Sequence, residues 1–238
     1  MKTIAIVNQK GGCGKTTFSA LLVKAISEQG KSVLAIDLDP QGGLTTILLG
    51  ESETERKGLF DFLINKEIEG CIHETENNLF NGKIDVLPSD YRTDKIFLSI
   101  NPFALKPLQG LEYDFCILDT PPTVQGITKA GMIFAERNII PTEISIQSKA
   151  PTLYTIESLK DLEKKPEIVF SGWKDPQDKG GYQANLSREF SSLFGGYLSG
   201  NIPRNSTAVS FASEWKKATA SHKQGILKEL NSILEKSI

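Results

Sequence analysis

The stretch that most limits what this chain can fold into is Lys10-Gly11-Gly12-Cys13-Gly14-Lys15-Thr16-Thr17, set between an apolar run and a helical one. Thr3 to Val7, just before it, is β-branched and apolar without polar alternation, the pattern of a strand covered on both faces. From about Lys15 to Gln29 apolar side chains recur at helical spacing, and Gly30 supplies a stop. The rest of the chain repeats this alternation. Ser32–Asp37, Ile84–Leu87, Phe115–Leu118, Arg137–Pro141 and Glu167–Phe170 read as strands, with Tyr197–Ile202 as another. Pro151–Lys164 and Leu186–Phe194 are the clearest further helices. The expected fold is α/β: a mostly parallel twisted sheet with helices on both faces. No repeat and no low-complexity linker divides the 238 residues, so 1–238 is expected to form one domain.

In such sheets ligands bind beyond the carboxyl ends of the strands. That rule selects Asn8–Thr17, Asp37–Thr45 and Asp119–Pro122. The first has the makeup of a phosphate-binding P-loop. Its glycines let backbone N–H groups close around anionic oxygens, and the helix N-terminus adds partial positive charge. Lys15 is placed to neutralise β- and γ-phosphates, the Thr16 hydroxyl to ligate Mg²⁺, and Thr17 to bond a phosphate oxygen. The usual P-loop pattern has glycine where this chain has Gln9. The second segment, Asp37-Leu38-Asp39-Pro40-Gln41-Gly42, sets two carboxylates two residues apart at a strand end, within reach of metal-bound and attacking water. It also reads as a plain turn. The third, Phe115 to Pro122, is a buried strand ending in Asp119, the shape of a carboxylate that holds the Mg²⁺ hydration shell.

These three segments together resemble the deviant Walker A ATPases of the ParA and MinD group. Lys-Gly-Gly-x-Gly-Lys-Thr-Thr with its extra lysine, Asp-x-Asp-Pro-Gln-Gly, Tyr113-Asp114 before Asp119-Thr120-Pro121-Pro122, and the late Ile202-Pro203-Arg204-Asn205 all match that group's pattern. The resemblance implies a P-loop NTPase fold, ATP and Mg²⁺ as cofactors, and an ATP hydrolase. It implies that Lys10 reaches across a nucleotide-sandwich homodimer to the partner's phosphates. Asp39 then positions the hydrolytic water, and Asp37 and Asp119 join Thr16 at the metal. Gly11, Gly12, Cys13, Gly14, Lys15, Thr16 and Thr17 line the phosphates, with Pro203 and Arg204 near the adenine. Ser171-Gly172-Trp173-Lys174 departs from the Asn-bearing strand end common in the group.

The formal net charge of -2 gives no whole-chain attraction for nucleic acid, so DNA contact needs a local basic patch. Candidates are Arg188, Arg204, Lys216, Lys217 and Lys223, although such residues also occur on ordinary solvated helix faces. Within the group, the expected task is plasmid or chromosome partition. An ATP-bound dimer grips double-stranded DNA without sequence preference, and a ParB-type centromere-binding partner stimulates release. No operator-binding segment precedes the loop, as in the short ParA form. The alternative is a MinD-like membrane-positioning ATPase. Ile226, Leu227, Leu230, Ile233 and Leu234 do form an amphipathic pattern, but Lys228, Glu229, Glu235 and Lys236 mix charges on its other face. That helix is expected to pack on the domain rather than on lipid. Three cysteines without paired spacing (Cys13, Cys71, Cys116) and the lack of a long apolar segment lead to the expectation of a reduced, cytoplasmic protein with no membrane partner, and the resemblance to the ParA group implies association with the nucleoid.

Overall fold

The computed structural model describes residues 1–50, 56–75, 81–171, 181–202 and 220–236. The apolar runs form the strands β1 (Lys2–Ile6), β2 (Val33–Asp37), β4 (Ile84–Leu87), β5 (Phe115–Asp119), β6 (Arg137–Glu143), β7 (Pro166–Ser171) and β8 (Leu198–Ile202), and a two-residue β3 (His73–Glu74) adds an edge. They make an eight-stranded sheet in the order β3-β4-β2-β5-β1-β6-β7-β8. Every pairing is parallel except β3 with β4. The central strands are buried on both faces, which is why they read as unbroken apolar runs.

The helices are α1 (Lys15–Glu28), α2 (Gly43–Leu49), α3 (Leu59–Asn65), α4 (Ile127–Phe134), α5 (Ile146–Asp161), α6 (Tyr182–Phe194) and α7 (Ala220–Glu235). Helix α5 starts before Pro151, with Ser145 extended at its N-cap. The proline therefore sits inside the helix rather than opening it. Its carbonyl accepts from Thr155 Oγ1 at 2.8 Å. Helices α2, α3 and α4 span seven, seven and eight residues, too short for helical periodicity to declare itself. Short 3-10 turns over 91–95, 97–99 and 106–110 punctuate the path from β4 to β5.

Pro141 lies in a central strand, where a missing donor normally breaks the ladder. Ile139 O accepts from Val7 N at 2.9 Å, so residues of that parity face β1. By Pro141 the β1 chain has already left the sheet, and Asn8 Nδ2 donates to the Pro141 carbonyl at 2.8 Å instead. The proline thus sits where the ladder no longer needs its N–H.

Two apolar layers cover the sheet. One joins it to α4, α5 and α6 through residues such as Leu38, Met132, Ile156 and Phe190. The other joins it to α1 and α7, where Ile226, Leu230 and Ile233 bury against Ile4, Val169 and Ile202. The apolar face of the last helix is therefore part of the core. A Cβ on Gly200 would stand 2.6 Å from Ile233 Cγ1, so the glycine lets α7 lie directly on β8. Polar ties fix the C-terminal end of α7: Arg137 Nη2 donates to Ile233 O at 3.0 Å and Lys236 Nζ to Ser199 O at 2.8 Å. Leu230→Ala is expected to cost about 2–5 kcal/mol in urea denaturation, the range for a fully buried leucine. A loss below ~0.5 kcal/mol, the surface value, would mean the helix only rests on the sheet.

Candidate active site

The sheet register assembles the site. β5 lies between β1 and β2, with Ile6 opposite Asp119 and Asp37 opposite Asp119. Two carboxylates thus stand side by side at the carboxyl ends of adjacent strands, next to the loop that leaves β1. The loop itself is pinned. Asn8 is fully buried, its Nδ2 bonds Pro141 O, and its Oδ1 accepts from Lys10 N at 2.9 Å. Gln9 N donates to Thr155 Oγ1 at 3.2 Å.

Gly12 and Gly14 adopt φ of +71° and +90°, the left-handed region that disfavours side chains. Beyond the chain neighbours, no atom lies within 4 Å of a Cβ built on Gly11, Gly12 or Gly14, so these glycines border open space at the α1 N-terminus. Cys13 turns the other way. Its Sγ is 3.2 Å from Lys10 O, and burial pushes the thiol pKa up, so the group stays protonated. Lys15 is 7% exposed and its Nζ donates to Lys10 O at 3.2 Å, folding the ammonium back over the loop.

Asp37 and Asp119 are both fully buried. Burial and then repulsion from Asp119 push the Asp37 pKa up, against the donors that favour its ionised form. Those donors are Thr45 N and Thr45 Oγ1, both at 2.8 Å from Oδ2, and Asp39 N at 3.1 Å from Oδ1. Burial also raises Asp119, partly offset by the Thr16 and Ser19 hydroxyls and by Lys15. Ser19 Oγ donates to Asp119 Oδ1 at 2.8 Å, while Oδ2 is buried with no hydrogen-bond partner. An acidic pair with an orphaned oxygen, beside a hydroxyl and an anion cradle, is the donor set a hydrated divalent cation satisfies. Mg²⁺ with a nucleotide phosphate fits these residues.

Asp39 does not share the strand face with Asp37. The strand ends at Asp37, and Asp39 stands half-buried in the turn that follows. Gln41 N donates to its Oδ1 at 2.9 Å, which fixes the carboxylate. Helix α2 begins against the loop: a Cβ on Gly43 would lie 3.2 Å from Thr16 Cγ2. Lys10 Nζ is held within its own chain by Glu143 Oε2 at 3.0 Å, Ser148 Oγ at 2.9 Å and Ser145 Oγ at 3.1 Å.

The structure thus gathers Gly11, Gly12, Cys13, Gly14, Lys15, Thr16 and Thr17 in the loop and first turn, with Asp37, Asp39 and Asp119 opposite. Arg188 is exposed on α6, where its Nη2 donates to Asn185 Oδ1 at 2.8 Å. Pro203, Arg204, Lys216 and Lys217 lie outside the described residues, and of Lys223 only the backbone, in α7, is described. Tyr113 and Asp114 serve structure: Asp114 Oδ2 caps Ser32 N at 2.8 Å, and Tyr113 OH donates to Asp85 Oδ2 at 2.6 Å. Sequence reasoning passed over Ser19, which holds Asp119, and Glu143, Ser145 and Ser148, which hold Lys10. Ser19 did leave a signal, a hydroxyl on the buried face of α1 one turn after Thr16.

A parallel sheet with a glycine cradle between its first strand and helix, and acids at the two neighbouring strand ends, defines a P-loop nucleotide-binding protein. A family profile described as an AAA domain matches residues 1–168. The chromosome-partitioning ATPase Soj of Thermus thermophilus is 31% identical over 67% of this chain and 63% of its own length. The virulence plasmid ParA family protein pGP5-D of Chlamydia psittaci is 38% identical over 74% of this chain and 71% of its own. The match therefore spans somewhat less than two thirds of Soj. Among solved structures, that of apo McdA from Cyanothece superposes with a TM-score of 0.81 at 22% identity, covering 98% of this chain and 99% of that one. The chain belongs to the AAA-domain family as one of its ParA-type ATPases.

Proposed function

We propose that this chain binds ATP with Mg²⁺, hydrolyses it, and uses the cycle to partition a plasmid or chromosome. The observation that carries the ATPase reading is the buried, unpartnered Asp119 Oδ2 at the strand end beside the β1 strand that leads into the glycine loop. Backbone N–H groups of Gly11 to Thr16 hold the β- and γ-phosphates, and Lys15 leaves the Lys10 carbonyl to neutralise them. The Thr16 hydroxyl and the Asp119 and Asp37 carboxylates hold the hydrated metal. Bound by these residues, Mg²⁺ would supply neutralisation of the phosphate charge. Asp39, fixed by Gln41 N, accepts a hydrogen bond from the attacking water and sets it in line. Little covalent chemistry is asked of the protein, so positioning and charge carry the catalysis. Residues 1–238 act as one catalytic domain.

The partition role rests on the relatives, Soj being a chromosome-partitioning ATPase and pGP5-D a plasmid ParA family protein. Two ATP-bound copies pair face to face, and Lys10 exchanges Glu143 for the partner's phosphates. The dimer binds duplex DNA through some of Arg188, Arg204, Lys216, Lys217 and Lys223, which places the protein on the nucleoid. A ParB-type protein stimulates hydrolysis and release. A lipid-bound role has less support, because the apolar face of α7 is already occupied by the core.

The test is fluorescence anisotropy of an arbitrary labelled duplex titrated with Asp39→Ala protein, with ATP and then with ADP. Binding is expected with ATP alone and should weaken steeply with salt, roughly tenfold or more between low and physiological ionic strength. Equal binding in both nucleotides, or none in either, would remove the DNA step from the cycle.

A further inference from the structure

Away from the strand ends, α3 and the 3-10 turns before β5 enclose an apolar groove of about 450 Å³. Phe62, Leu63, Ile64, Ile96, Ile100 and Phe103 supply most of its wall. Ile64 and Phe103 are 53% and 65% exposed, and Leu98 in the same segment is 75% exposed. Side chains this apolar are seldom clustered in water without a partner. None of the groove residues belongs to the nucleotide site.

The walls state what kind of partner they take. They are built from α3 and 3-10 turns rather than strands, and Ile96, Ser99, Ala104 and Lys106 already donate their N–H groups to Thr93, Ile96, Asn101 and Phe103 carbonyls. The walls therefore present side chains and no sheet edge, which suits an occupant that satisfies its own backbone, as a helix does. Lys66 is the charged residue lining the groove, and the exposed Lys106 opens the turn whose Pro107 lines the far wall. Among the described residues neither lysine forms an ion pair. A second copy of this groove would bring the same lysines face to face, which disfavours a two-fold contact.

We propose that this groove is a docking site for an amphipathic helix of a protein partner, with apolar residues along one face and Asp or Glu flanking them to meet Lys66 and Lys106. The volume holds a few large apolar side chains, the scale of helix-in-groove recognition. The site is separate from the ATP chemistry and is present without nucleotide.

The experiment is a display selection of random peptides about 16 residues long, four helical turns, against the whole chain. Enriched peptides are then synthesised for anisotropy titration. Expected winners carry apolar residues at i, i+3 or i+4, and i+7, with Asp or Glu beside them. Phe103→Asp should weaken them at least ~10-fold, about 1.4 kcal/mol. Lys66→Glu should shift preference toward the same peptides with lysine in place of the acids. Both residues are exposed, so circular dichroism and ATP turnover of the variants should match the parent. Enrichment of basic or non-helical peptides, or binding indifferent to Phe103→Asp, overturns the proposal. So would a nucleotide-free dimer of the parent that Phe103→Asp dissolves, or co-sedimentation with anionic vesicles that Phe103→Asp abolishes. The first outcome would give the groove to a second copy and the second to lipid.

Discussion

Asp39→Ala is expected to bind ATP as the parent does and to hydrolyse it at least ~100-fold more slowly, the lower range for losing a positioned proton acceptor. The separation follows from geometry. Asp39 contacts the loop through no hydrogen bond; its Oδ1 is engaged by Gln41 N in its own turn. Removing the carboxylate leaves the cradle, Lys15 and both buried acids in place. Lys15→Ala should do the opposite. It removes the one ammonium folded over the loop, and truncating one member of a desolvated charge pair costs about 2–5 kcal/mol. ATP affinity should fall by a hundredfold or more. Isothermal titration calorimetry and a phosphate-release assay on the two variants separate the effects. An Asp39→Ala protein that turns over ATP at the parental rate would show that another group sets the water.

Asp119→Asn is expected to make the nucleotide-free protein more stable while abolishing its response to MgATP. Asp37 and Asp119 are buried side by side, and both have pKa values raised above the ordinary carboxylate range. The folded state therefore holds protons more tightly than the unfolded chain, whose carboxylates titrate near ~4. Stability from this pair is complete below that pH and is lost as pH rises through the folded values. Asparagine removes one charge, keeps an oxygen for Ser19 Oγ, and replaces the orphaned Oδ2 with a donor near Thr16 and Asp37. The melting temperature without ligand at neutral pH should rise by roughly 4 °C, given about 2–4 °C per kcal/mol for a chain of this size. Its decline from pH 5 to pH 8 should flatten, and the shift on adding MgATP should vanish. Asp37→Asn lacks that benefit, because Thr45 N and Asp39 N both need an acceptor and one amide cannot serve each as well. A ligand-free Asp119→Asn protein that melts lower than the parent would show that the pair is not strained.

Most of the sheet was legible because parallel strands covered on both faces must be continuously apolar, and Ile84–Leu87 or Phe115–Asp119 can hardly be read otherwise. The loop and its facing acids were legible for a related reason: each lies at the carboxyl end of such a strand. What supports them was not. Ser19 and Asp119 are one hundred residues apart, and Lys10 and Glu143 further still, so only the closed sheet brings them together. The strand closes at Asp37, as the apolar run implied, but the direction of Asp39 was not legible, because it is set by the turn in which Gly42 N bonds Asp39 O rather than by the pleat of β2. Short helices such as α3 carry too few turns to announce themselves, and the groove they border stayed hidden with them.

The two sides of the nucleotide site differ in mechanical character. Helix α1 has eleven of its fourteen residues buried, clamped between the sheet and α7, so the cradle rides on an element with almost no freedom to shift. Helix α2 buries only Leu44 and is bounded by Gly42 and Gly50, whose φ values of +63° and +73° lie in the left-handed region. Yet α2 carries Thr45, which bonds Asp37 through both its N–H and its hydroxyl and also accepts from Ser89 N. A change of charge at Asp37 thus meets a deeply buried helix on one side and, on the other, a short, mostly half-buried helix whose Thr45 ties Asp37 to Ser89 beyond the end of β4.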